Sequence, residues 1–102
     1  MFKIEKFLIE NGFELSKHYD ESGVNVYNTW DGLEVAIFPN HKPIAWELHT
    51  QYPYELVISN LREPDKKVLK SSAMEYFSAQ LDYWINFSET LKRIENPWEE
   101  VE

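Results

Sequence analysis

Apolar residues recur along this chain with two different periods. Near the start, Ile4, Phe7 and Leu8 fall at i, i+3 and i+4, the single stripe of a helix over about 3–11. Asn11-Gly12 ends it, because glycine readily takes the left-handed position just past a helix. Phe13 then stands where such an ending makes its apolar contact. A helix this short is marginal by itself in water and must dock on something.

From Phe13 the period changes to two. Phe13, Leu15 and Tyr19 alternate with Glu14, Ser16 and His18 over 13–19, and Asp20-Glu21-Ser22-Gly23 is turn chemistry. Two further runs, 24–30 and 33–38, flank Asp31-Gly32, a strong short-range hairpin signal. A two-residue loop there sets Trp30 opposite Leu33, Asn28 opposite Val35 and Val26 opposite Ile37, and that face is the expected core. Thr29–Glu34, Tyr27–Ala36 and Asn25–Phe38 then form the partly solvated face. After Pro39-Asn40-His41-Lys42-Pro43, a strand over 44–48 turns Ile44, Trp46 and Leu48 inward, and another follows at 54–59. The stretch 61–67, with Glu63-Pro64-Asp65 inside it, reads as a charged loop.

The last helix opens on Ser72-Ala73-Met74-Glu75, a capping box, and runs to about 95, since Pro97 forbids continuation. Met74, Phe77, Leu81, Trp84 and Leu91 make its central stripe, which Ser88 interrupts. The whole apolar arc, from Tyr83 through Tyr76 and Phe87 to Met74 and Ile85, is about 200° wide, against the roughly 100° that one-sided burial needs. Either the first helix and the 52–54 loop cover the excess, or Tyr76, Tyr83 and Phe87 face a partner as anchors. Opposite the arc, Glu75, Asp82 and Glu89 recur every seven residues as an acidic ridge with steps of about 10 Å, relieved by Arg93 pairing with Glu89. The tail from Asn96 carries Trp98, Glu99 and Glu100. It either folds back so that Trp98 caps the core or stays mobile as an acidic-aromatic docking peptide. The expected fold is therefore α+β: one domain over 1–102, an antiparallel meander of four to five strands flanked by a short N-terminal and a long C-terminal helix.

Composition narrows the function. The chain has 102 residues, 43% hydrophobic and 16% aromatic, too apolar for disorder and enough for a core without staples. Cysteine is absent, which removes disulfides, thiolate nucleophiles and cysteine-held zinc. Charges in the opening residues break any signal-peptide core and no long apolar run exists, so a cytoplasmic protein with no membrane contact is expected. The net charge of −8 belongs to the two ends of the sequence: residues 5–34 and 71–102 each hold seven acids against two bases, and the middle is nearly neutral. Such a chain is not expected to bind nucleic acid directly, because phosphate contact depends on Lys and Arg.

Candidate chemistry is sparse. His18, His41 and His49 show no metal-ligand spacing, and Gly12, Gly23 and Gly32 each belong to a turn or a cap, leaving no phosphate-cradling loop. Asp65-Lys66-Lys67 resembles half of a metal-dependent nuclease core but stands beside Pro64, in a protein without a cationic surface. No enzyme, metal or cofactor is expected. The expected activity is protein binding, at Glu75, Tyr76, Asp82, Tyr83, Phe87, Glu89, Trp98, Glu99 and Glu100.

In size, acidity, aromatic content and lack of cysteine, the chain resembles small phage- or plasmid-encoded inhibitors, including anti-CRISPR and anti-restriction proteins. It is similar in the same respects to bacterial immunity proteins. No motif carries either resemblance. The first implies an inhibitor that blocks a basic, nucleic-acid-handling protein, imitating nucleic acid with its carboxylates. The second implies an immunity protein or antitoxin with a toxin enzyme as partner, and an acidic secretion-type chaperone is a further alternative.

Overall fold

The computed structural model describes residues 1–29, 32–50, 54–59, 62–69 and 74–102, with side chains over 1–29, 32–50, 57–59 and 82–102. Helix α1 (Lys3–Glu10) is followed by strands β1 (Glu14–His18), β2 (Asn25–Asn28), β3 (Leu33–Phe38), β4 (Ala45–Thr50), β5 (Tyr54–Ser59) and β6 (Arg62–Leu69). Helix α2 (Met74–Lys92) closes the order. The six described strands pair antiparallel in sequence order, a pure meander, so the protein is α+β as its pattern predicts.

α1 ends as expected. Gly12 has φ +88°, its amide donates to the Ile9 carbonyl at 3.2 Å, and the Phe13 amide reaches back to Leu8 at 3.0 Å. Phe13 is thereby delivered into the core beside Ile4 and Leu8. On the same side lie Leu33, Val35 and Ile37 of β3, Trp46 and Leu48 of β4 and Ile58 of β5, an alternation that marks one face of the sheet. Trp84, Phe87 and Leu91 of α2 complete the cluster at i, i+3 and i+7. Both helices therefore cover one sheet face. Ser88, buried in the stripe, turns its hydroxyl onto the Ile85 carbonyl of its own helix at 2.6 Å, which satisfies it without a partner elsewhere.

Two expectations need correction, and one that was left open is decided. The β2–β3 hairpin closes between Thr29 and Leu33, with the Thr29 amide donating to Leu33 O at 2.9 Å, a loop one residue longer than Asp31-Gly32. Tyr27 consequently faces Val35 and Val26 faces Ala36, so Tyr27 is the core residue and Val26 lies on the other face. Gly32, at φ +90°, serves a longer loop as well as a two-residue turn, and the extra residue inverts the side-chain parity of the incoming strand.

The second correction concerns the expected charged loop, whose described part, 62–67, belongs to strand β6. Pro64 argues against a central strand only, and β6 is the last strand of the sheet, paired on one side and with a register shift between Val57 and Ser59, a setting that accommodates proline. Charged residues there suit an edge. The expectation left open concerns the tail. Carbonyls of Pro97 and Glu99 accept from the Ile4 and Lys3 amides at 3.0 and 2.7 Å, capping two of the helix-start donors of α1. The Val101 amide reaches Met1 O at 2.7 Å, and Trp98 sets its ring edge-on to Phe2 at 5.6 Å. Of the two expected tail conformations, the folded-back one is present. Trp30, Tyr52, Pro53 and Ser72 lie outside the described residues.

Candidate functional site

Both helices lie on one face of the sheet, and the described residues form a second surface on the other. Alternation places Val26, Glu34, Ala36, Phe38, Glu47 and His49 there. A cavity of about 530 Å³ opens on it, floored by Val24, Val26, Ala36 and Phe38, with Tyr19 and Ser22 at its side. One end is polar. Glu34 and His49 are direct cross-strand partners, and His49 Nε2 stands 2.5 Å from Glu47 Oε1. Glu47 is mostly buried, and its carboxylate holds the imidazole from the neighbouring position on the same strand face. A smaller cavity of about 280 Å³, with Glu21, Asn40 and His41 in its walls, shares Ser22, Val24 and Phe38 with the first. The two form one groove.

A second polar constellation lies on the helix side. Glu5 of α1 is 4% exposed, and its carboxylate accepts from the Phe2 amide at 2.9 Å, Asn25 Nδ2 at 3.2 Å and the Tyr27 hydroxyl at 2.5 Å. A carboxylate only accepts, so the Asn25 amide must turn its nitrogen to Glu5 and its oxygen outward. His18 Nδ1, 2.5 Å from that oxygen, therefore carries the proton and donates. Asp20 faces the other ring nitrogen at 3.4 Å. This chain of donors ties α1 to β2 and β1, the sequence gives Glu5 no signal beyond its place three residues into a helix, and its role was not anticipated.

Burial, with the hydrogen bond to Glu5 and its negative charge behind it, pushes the Tyr27 phenol far above the ordinary value of 10.0. A group raised in the folded chain lends stability in full below its unfolded value, and that stability drains away as pH climbs toward the folded one. Urea unfolding is thus expected to show stability falling above about pH 10, where the unfolded chain sheds the phenol proton and the folded chain holds it. Tyr27→Phe should flatten that part of the profile, and an unchanged slope would detach Tyr27 from it.

The residues singled out on α2 and the tail do not behave as one set. Asp82 is exposed and Tyr83 is 50% exposed, as a docking face requires. Glu89 is half-buried and its carboxylate lies 3.6 Å from Lys92 Nζ at i+3, so its ion pair is with Lys92 instead of Arg93. Phe87 is corrected outright: it is 7% exposed and stacks on Phe13 and Phe7, with centroids 5.3 and 5.9 Å apart. It is core, covered by α1, and offers nothing to a partner. Trp98 is half-buried against Phe2, while Glu99 and Glu100 stay exposed. The side chains of Glu75 and Tyr76 lie outside those described.

Among the described residues no three His, Asp or Glu side chains converge as a metal site, and no helix is long and apolar enough to cross a membrane. No protein-family model, curated protein sequence or solved structure matches the chain.

Proposed function

We propose that this protein is a small acidic inhibitor that docks on and blocks a basic, nucleic-acid-handling protein in the cytoplasm, in the manner of anti-CRISPR or anti-restriction proteins. One observation carries the reading. The tail that follows α2 is tied to α1 by backbone hydrogen bonds, so Glu99 and Glu100 join Asp82 and Tyr83 on an ordered scaffold. Carboxylates held in place cost little further ordering when a cationic partner arrives. In a chain of net charge −8 they speed encounter with a basic surface and repel acidic ones. Tyr83, exposed next to Asp82 in the chain, supplies the aromatic contact that prolongs a complex.

The test is a triple charge reversal, Asp82→Lys, Glu89→Lys and Glu99→Lys. All three sites are outside the core, so unfolding should move by no more than roughly 0.5 kcal/mol per site. The wild-type chain is expected to retain a basic protein from host lysate that elutes with salt and is displaced by duplex DNA. The triple variant should hold it at least about tenfold more weakly near physiological salt. Retention that ignores salt, DNA and the three reversals together would end the proposal.

A further inference from the structure

We infer that the open face of the sheet is a second binding site, which takes an extended segment of a partner protein whose apolar residues are flanked by lysine or arginine. It stands on the groove alone and does not require α2 or the tail to touch the same partner.

Length points to an extended chain. From Glu34 to Phe38 the groove follows four residue steps of β3, about 13 Å, and the smaller cavity carries it on past Phe38 to His41. Four or five residues of extended peptide cover that distance, and every second side chain would meet the floor of Val24, Val26, Ala36 and Phe38. The far end is preformed. Asn40 Nδ2 donates to Ser22 O at 2.8 Å and locks the β1–β2 and β3–β4 turns together.

Charge names the flanking residues. Each end has a carboxylate and an imidazole, Glu34 with His49 at one and Glu21 with His41 at the other. Among the described residues no lysine or arginine lines either cavity. Lys17 Nζ sits 4.7 Å over the ring of Tyr19, a lining residue, and is already engaged there. Among the described residues Glu34 has no hydrogen-bond or ion-pair partner, although it is half-buried beside an apolar floor. A cation arriving along that floor gains a charge-assisted contact there that water screens poorly. An anionic ligand would meet the carboxylates of Glu34 and Glu21. A second copy of this chain would bring the same carboxylates face to face.

The experiment titrates the isotope-labelled full chain, followed by backbone amide shifts, with three probes: acetyl-Lys-Val-Phe-Val-Lys-amide, its Glu-flanked counterpart and 1,8-diaminooctane. Expected are saturable shifts at Val26, Ala36, Phe38 and His49 with the Lys-flanked peptide, and none with the Glu-flanked one. Glu34→Lys should weaken the Lys-flanked peptide roughly tenfold, and the α2 and tail triple reversal should leave its affinity unchanged, which separates this site from the surface proposed above. Equal response to both peptides, shifts confined to α2, or no saturation at millimolar peptide would each overturn the inference. So would a diamine that binds as tightly as the peptide, since the groove would then be a small-amine site. The peptide comparison on the unaltered protein decides the matter even where Glu34→Lys fails to fold.

Discussion

Phe87→Ala is expected to remove about 3–5 kcal/mol of stability, read as a drop in the urea midpoint at unchanged slope. The ring sits between α1 and the start of the sheet, stacked on Phe13 at 5.3 Å and on Phe7 at 5.9 Å, and only 7% of it is exposed. Its removal deletes the apolar surface through which α2 grips α1 and leaves a cavity between helices that backbone hydrogen bonds to the tail hold in place. Tyr83, one turn earlier, stacks on the outer side of Phe87 at 6.4 Å but is half exposed. Tyr83→Ala should therefore cost under about 1 kcal/mol. The contrast is the informative part. A binding anchor at Phe87 would give the opposite result, a stable protein with a weakened complex, and a loss under about 1 kcal/mol for Phe87→Ala would show that the ring is not core.

Glu5→Ala is expected to cost about 3 kcal/mol. Three donors converge on its carboxylate, and hydrogen bonds to a charged group are worth about 1.5–3 kcal/mol each when a buried partner is lost. The full sum is not reached, because alanine also relieves the burial of a charge. Glu5→Gln separates the two effects. Asn25 Nδ2 and the Tyr27 hydroxyl both point at Oε2 while the Phe2 amide takes Oε1. An amide nitrogen in either place meets a donor instead of an acceptor, so glutamine should recover only part of the loss. A double-mutant cycle with Tyr27→Phe should give a coupling of about 1–2 kcal/mol. Additive losses would mean that the 2.5 Å contact contributes nothing of its own.

The amphipathic positions of α1, its glycine ending and the inward stripe of β3 are written in short-range patterns, and each is present. These signals act within one helical turn or one strand, where steric limits on glycine and the direction of successive side chains leave few options. The α2 rings were legible as apolar but not as covered. Arc width gives how much surface needs shelter, whereas α1 and Phe13, far away in sequence, decide that Phe87 receives it and Tyr83 does not. The groove was harder to see. Its lining comes from β2, β3, β4 and the β1–β2 turn, and with the hairpin one residue out of register Val26 falls on the wrong face.

Sequence alone settled the α+β class, the strand-rich middle between two helices, the acidic balance and the residues able to serve as core. Tertiary structure decided which of them do: Tyr27 in place of Val26, Phe87 inside, Glu5 buried with three donors and the tail returned to α1. The division has one physical cause. Backbone propensity and side-chain periodicity are properties of neighbouring residues, while register parity, desolvation of a carboxylate and docking of a terminal segment are free energies of contacts between residues far apart in the chain.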